Sequence, residues 1–292
     1  MTIKIVTDSG ADLPAALIEE LNITVVPIYL RFGKEVYRDR VDINEEEFYQ
    51  RLLHDSVHPN TTQPSPQDFA SVFEEISQKA DGIISIHITS KLSGTYNSAV
   101  QGKKMANSRC PIEVVDSQTL SIAVGLIVIQ AAKMAKSGMG LEQIADELYK
   151  IIPNVHLFAL FDTLKYLVRG GRVGKAKALM GTLLNVKPIL AMKDGELVPS
   201  SQARSRSKGI DRLVDLVKKA KEIQDLATLY STTLNDAKAL VKRTSAVFPE
   251  EKTIIARLGP GLGVHGGPGV LAVAIRESTP LVEPSPFQPE IP

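Results

Sequence analysis

The chain has 292 residues, enough for two domains, and its 43% hydrophobic and 23% charged content is ordinary for a globular protein. A net charge of +1 gives the molecule as a whole no bias toward nucleic acid or membrane. The single cysteine, Cys110, excludes an intrachain disulfide and points to a reducing compartment.

The first residues, Met1 to Val6, run straight into a strand pattern without a signal-peptide layout, so the expected location is the cytoplasm. Ile3 to Thr7 reads as a strand and Asp8-Ser9-Gly10 as a turn. Pro14 to Leu21 reads as a helix, with Asp12 as its N-cap and proline in its first turn. Ile23 to Leu30 reads as one strand, and a hairpin through Phe32-Gly33-Lys34 returns along Glu35 to Arg38. Such a hairpin, near 24–40, is an insertion into a parallel pattern. Asn44 to Leu53 is helical. Ser65-Pro66-Gln67-Asp68 opens a helix through Ser77 with a capping box, aspartate replacing the usual glutamate.

Ile83 to Thr89 is isoleucine-rich and free of formal charge, and so predicts a buried strand. It delivers Ser90, Ser93 and Thr95 to the start of a helix near 95–106. Free backbone N–H groups and the helix dipole favour an anion at such a place. In open α/β sheets, ligands also bind just beyond the carboxyl ends of strands. This loop is therefore the first candidate for holding a carboxylate or phosphate. Ile112 to Val115 is a further strand, followed by Asp116-Ser117 and a long apolar helix to Ser137. Its apolar stretch, Leu120 to Ala132, is too short for a membrane span of ~20 residues and reads as a core helix. Leu141 to Ile151 is one more helix. Alternating strands and helices predict a parallel, Rossmann-like sheet over residues 1–154.

The pattern changes near Val155. His156 to Leu160, Val186 to Met192, Glu196 to Pro199, Leu226 to Ser231, Thr253 to Leu258 and Val270 to Ile275 read as strands, and Lys208 to Ala220 as an amphipathic helix. Residues 155–282 thus predict an α+β domain with a mixed sheet, and proline-rich 283–292 a loose tail.

Most motifs fail on spacing. Gly261-Leu262-Gly263-Val264-His265-Gly266 matches G-x-G-x-x-G but leads into Gly267-Pro268-Gly269 and a strand, so it reads as a flexible loop carrying His265. Gly170 to Ala176 lacks P-loop spacing and its hydroxyl. His54 and His58, with Cys110, offer no metal spacing, and His87 and His156 read as core residues. Asp8 could serve phosphoryl transfer, or with Ser9 it could simply form a turn and a cap. A hydrolase or phosphotransfer enzyme using Asp8 or Ser93 is the rival reading, although no G-x-S-x-G elbow occurs. Residues 163–208 hold ten bases, among them Lys165, Arg169, Arg172, Arg204 and Arg206, against Asp194 and Glu196. They are either a solvated face or a site for an anionic partner. With one aromatic, Tyr166, the segment offers little for stacking on nucleic-acid bases. Thr61 and Thr62 could satisfy their own loop or join Ser93 around an oxyanion.

Together these pieces resemble the DegV family, which includes the fatty-acid-binding subunits of bacterial fatty acid kinase. The matching segments are Val6-Thr7-Asp8-Ser9 with Asp12-Leu13, Thr61-Thr62-Gln63-Pro64-Ser65, Ser90 to Tyr96, Asp116-Ser117, Leu167 to Val173, Leu184 to Leu190 and His265 to Gly269. They occur in order along nearly the whole chain. The resemblance implies a long-chain fatty acid between two domains, with no other cofactor and no metal. It implies carboxylate contacts from Thr61 (or its neighbour Thr62) and Ser93, with Arg172 and His265 completing the polar end. Loop amides at Gly94 and Thr95 would add donors. Arg204, with Arg206 beside it, is assigned to partner contact. The implied partners are a kinase subunit that phosphorylates the carboxylate and an acyltransferase that receives the acyl phosphate. Peripheral membrane contact during ligand exchange is a further expectation.

Overall fold

The computed structural model describes residues 1–182 and 186–278. Leu184, Asn185 and the tail 283–292 lie outside the described residues. The strands, in chain order, are β1 (Ile3–Asp8), β2 (Ile23–Val26), β3 (Tyr29–Phe32), β4 (Glu35–Arg38), β5 (Asn60–Thr62), β6 (Gly82–His87) and β7 (Ile112–Asp116). After them come β8 (Val155–Leu160), β9 (Lys187–Lys193), β10 (Glu196–Ala203), β11 (Ile223–Tyr230), β12 (Ile254–Arg257) and β13 (Leu271–Glu277).

The N-terminal part holds a parallel sheet in the order β2-β1-β6-β7. β6 is buried on every residue, which is why it lacks hydrophobic alternation. The order reverses direction between β1 and β6, so their carboxyl ends flank a switch point. The C-terminal part holds a mixed sheet, β10-β9-β8-β13-β11-β12, antiparallel except for β11 with β12. The chain is thus α/β with a mixed second sheet, as its pattern predicts.

The helix Ile122–Lys136 packs on β1 and β6 on one side and on β8, β11 and β13 on the other. That sandwiching explains its sequence. Every residue from Ile122 to Ile129 is buried, a helix apolar all round because both of its faces meet a sheet. It joins both halves into one hydrophobic core.

Several local expectations need correction. The predicted strand Ile23 to Leu30 breaks at Pro27, which has no N–H for a ladder, and β3 leaves to form a separate antiparallel sheet, β4-β3-β5. Asn60–Thr62, read as loop, is the third strand of that sheet. Pro260–Gly266 is a helix, not a flexible loop. Its glycines let it pack closely: a β-carbon at Gly263 would stand 2.6 Å from the Phe48 ring. The helices Lys165–Arg169 and Leu234–Thr244 were not foreseen. Ser65 and Asp68 do form the expected capping box.

Asp12 does not cap the helix that follows it, Ala15–Glu20. It is buried and binds across the molecule: Gly259 N–H donates to it at 2.8 Å, Ser121 hydroxyl at 2.5 Å and Arg40 at 3.2 Å. Arg40 also donates to the Arg257 carbonyl at 2.8 Å, and Tyr49 hydroxyl to that of Leu258 at 3.1 Å. This buried polar junction ties the N-terminal part to the start of the Pro260–Gly266 helix. Asp39 lies beside Gly261 in the same place. Ser9 and the Gly261 amide lie near it, but no well-aligned hydrogen bond reaches either carboxylate oxygen.

Burial pushes the Asp39 carboxyl up to about 7, against the pull of Arg40, and burial likewise raises Asp12 to about 6. Between the ordinary carboxylate range and these values, the folded chain binds more protons than the unfolded one. These two groups therefore make stability fall as pH rises from about 4 to about 7. Asp39→Asn should flatten that part of the profile, measured by urea unfolding at a series of pH values. An unchanged profile would contradict the assignment.

Candidate functional site

A narrow apolar slot lies between the two sheets. Its atom-free space, counted out through its mouth, is about 960 Å³. Ile28, Ile88 and Leu120 line it from the N-terminal part, and Leu157, Leu229 and Ala272 from the C-terminal sheet. Six polar side chains share that lining: Thr61, Gln63, Ser93, Arg172, His265 and Ser121, whose hydroxyl is committed to Asp12.

Each arrives on its own element. Thr61 sits on β5 opposite Leu30 of β3, and Thr62 opposite Tyr29. Successive strand residues face opposite ways. Thr61 thus joins the slot, while Thr62 is exposed and absent from its lining. The Thr61 hydroxyl lies 2.8 Å from His265 Nε2. His265 rides on the last turn of the Pro260–Gly266 helix, whose other end is fixed by Asp12.

Ser93 lies past the carboxyl end of β6, the expected switch-point position. Its hydroxyl accepts from the Thr95 amide at 3.2 Å and pairs with the Thr95 hydroxyl at 2.8 Å. Gly94 is the N-cap and Thr95 the first residue of the helix Thr95–Met105. Arg172 is exposed at the rim, donating to the carbonyls of Leu92 at 3.3 Å and Gly170 at 2.7 Å. Its guanidinium thereby spans the Ser93 loop and the glycine-rich segment.

Gln63 and Gly170 were missed as site members. A β-carbon at Gly94 would stand 2.6 Å from the Gln63 amide, so the β5 and Ser93 loops close together only over glycine. A β-carbon at Gly170 would stand 2.1 Å from His265 Nδ1. Gly170 therefore holds the imidazole against Thr61. Both residues stand within the matching motifs, which was the available signal.

The electrostatics are asymmetric. Burial first, and Arg172 second, press the His265 imidazole down to about 4. It is neutral at physiological pH. Nδ1 is buried without a partner, so the tautomer with hydrogen on Nε2 strands only a lone pair there, not a donor. In that tautomer His265 donates to Thr61, and the Thr61 hydroxyl is free to donate into the slot. With Thr95 donating to Ser93, the Ser93 hydroxyl is free in the same way. Two hydroxyl donors and a nearby guanidinium suit a carboxylate.

The rival catalytic groups are placed differently. Asp8 accepts from His87 Nδ1 at 2.9 Å and from the Gly10 amide at 2.9 Å. Ser85 lies 2.6 Å from His87 Nε2, which completes a serine–histidine–aspartate chain. All three are wholly buried, with Phe69 against the His87 ring at 4.9 Å. That burial makes the chain a structural link between β1 and β6. Ser93 has no histidine partner among the described residues.

Arg204 is exposed, while Arg206 is turned inward. Arg206 pairs with Asp236 at 2.7 Å and Asp162 at 3.3 Å and donates to the Gly269 carbonyl at 2.6 Å. Its assignment to partner contact is withdrawn for that reason. Among the described residues no helix is long and apolar enough to cross a membrane, and no cluster of three or more metal-ligating side chains occurs.

The fold and site define an α/β protein with an apolar slot between two sheets, lined also by the Thr61 and Ser93 hydroxyls. The DegV family model, described as an uncharacterised protein family, matches residues 2–278, and the chain belongs to that family. A DegV domain-containing protein of Caldanaerobacter subterraneus is 38% identical over 281 residues, covering 94% of this chain and 99% of the relative. A DegV family protein from Thermus thermophilus, described for its fatty acid binding, superposes with a TM-score of 0.87 at 34% identity, covering 95% of this chain and all (100%) of the other. DegV of Bacillus subtilis, described as a fatty acid binding protein, gives 0.86 at 30% identity, with 95% and 100% covered.

With His265 neutral, the polar end keeps one charge state across the physiological range. Imidazole NMR titration should show no His265 inflection between pH 5.5 and 8. An inflection near 6.5 would refute the buried, Arg172-facing placement.

Proposed function

We propose that this chain carries one long-chain fatty acid in the slot, its carboxylate at Thr61 and Ser93. The apolar slot ending in two hydroxyl donors is the observation that carries this reading. Removing ~15 methylenes from water is worth on the order of 12 kcal/mol gross, so the tail supplies affinity. The headgroup then supplies orientation, with Gln63, His265 and Arg172 shaping its surroundings. The fatty-acid binding described for the Thermus and Bacillus relatives supports the same ligand class.

The finer reading is that the carboxylate is presented to a separate ATP-dependent kinase, and that the acyl phosphate then passes to an acyltransferase. Two features favour it. The head end lies at the rim beside exposed Arg172, where an outside enzyme can reach it. The Gly170 segment leads into a short 3-10 helix, Gly174–Thr182, rather than a phosphate-cradling strand–loop–helix. Residues 1–154 and 155–282 are read as two domains that clasp the lipid, working in the cytoplasm. Exposed Arg204 remains the proposed contact for the kinase, and peripheral membrane contact accompanies ligand exchange.

Denaturing extraction followed by mass spectrometry should recover a long-chain acid from the purified protein. A chain that is empty and takes up neither oleate nor palmitate would refute the reading. Hydrogen bonds to charged groups contribute roughly 1.5–3 kcal/mol each. The double variant Thr61→Ala with Ser93→Ala should therefore weaken fatty-acid affinity by about a hundredfold or more and lower turnover in a kinase assay. Unchanged affinity and turnover would remove the headgroup assignment.

A further inference from the structure

The basic segment is only partly consumed by internal pairs. Lys175 meets Glu196 at 2.7 Å, Lys187 meets Asp162 at 3.0 Å and Lys208 meets Asp211 at 3.2 Å. Among the described residues, Lys165 and Arg169 pair with no carboxylate. They stand four apart at the two ends of the helix Lys165–Arg169, hence on one face.

That face and the loop after the helix Glu45–His54 enclose a second pocket, with about 750 Å³ of atom-free space out to its mouth. Ser56, His58, Lys165, Tyr166 and Arg169 line it, with Asp55. Asp55 is already taken by Arg51 at 2.9 Å, so no unpaired acid in the lining answers the two cations. The Lys165 ammonium is held over the Tyr166 ring, 4.8 Å from its centre. The His58 ring lies 5.8 Å from that of Tyr166, and its Nε2 is buried without a partner. Burial, and then the charges of Arg169 and Lys165, lower the His58 imidazole, so the ring reports a positive local field. The pocket also adjoins the head of the slot. Gly170, next to Arg169, packs on His265.

We propose that this second pocket is a subsite for a phosphoryl oxyanion, gripped by Arg169 and Lys165 and closed by Ser56 and the His58 ring. Charge selects the class. Two exposed cations match a phosphoryl group of about −1.5 to −2, whereas a carboxylate would leave one cation unanswered. A guanidinium can also take two phosphoryl oxygens at once, which an ammonium cannot. A free phosphate meets both criteria, whereas a phospholipid phosphodiester carries one charge but offers the guanidinium the same pair of oxygens. The site stands without the lipid-carrier reading, and a chain that never held a fatty acid would still show it.

The test follows imidazole resonances of the full-length protein during titration with inorganic phosphate, against sodium chloride at equal ionic strength. Phosphate should shift His58 saturably and raise its pKa, because an anion relieves the local positive field. Arg169→Gln with Lys165→Gln should abolish the response, with thermal melts confirming the fold. Arg169→Lys, which keeps the charge, should retain a weaker one and covers failure of the double variant to fold. In a second arm, vesicles of phosphatidylglycerol or phosphatidylcholine are sedimented with the protein. Recruitment to phosphatidylglycerol alone, lost in the double variant while free phosphate is silent, supports the subsite with a lipid headgroup as its source. Equal responses to phosphate and chloride with no such recruitment, or a response unchanged by the substitutions, overturn the proposal.

Discussion

A carboxylate inside an apolar slot is tolerable only if its oxygens meet donors. Under the proposed function that constraint falls on residues remote in sequence. Thr61 comes from the edge of the small sheet, Ser93 from the loop after β6, and His265 from a helix near the end of the described chain. No local preference assembles them. The assembly rests on the buried junction of Asp12, Arg40 and Tyr49, which fixes the start of the His265 helix to the N-terminal part.

The junction carries an energetic cost of its own. Asp12 and Asp39 are carboxylates in a dry setting, one fully hydrogen-bonded and the other poorly so. A buried, unevenly satisfied polar network costs stability and gains geometric definition. Here the definition is visible. With Asp12 at one end of the helix and Gly170 behind its far end, the imidazole has little freedom except against Thr61. The same scarcity of space explains why glycine stands at positions 94 and 170.

Much of the fold was legible from periodicity. The isoleucine run of β6 and the apolar first half of the helix Ile122–Lys136 announced a buried strand and a core helix. The capping box at Ser65 announced its helix. What escaped depended on distant partners. Asp12 looks like an N-cap because its nearest helix is local, but its donors are Gly259, Ser121 and Arg40. The glycines from 261 to 267 read as a loop, because tight packing against Phe48 makes a glycine-rich helix worthwhile only in three dimensions. Only the family resemblance favoured Thr61 over Thr62; the physical reason came with β5 as a strand, since pleating sends them to opposite faces. Arg204 and Arg206 look alike in sequence, and only Asp162 and Asp236 separate them.

The most direct test of this account is a crystal structure of the chain with its bound lipid. The account predicts an extended acyl tail running between Ile28, Ile88 and Leu120 of the N-terminal part and the C-terminal sheet, with carboxylate oxygens within hydrogen-bonding reach of the Thr61 and Ser93 hydroxyls. A tail lying outside the slot, or a carboxylate turned away from both hydroxyls, would contradict it.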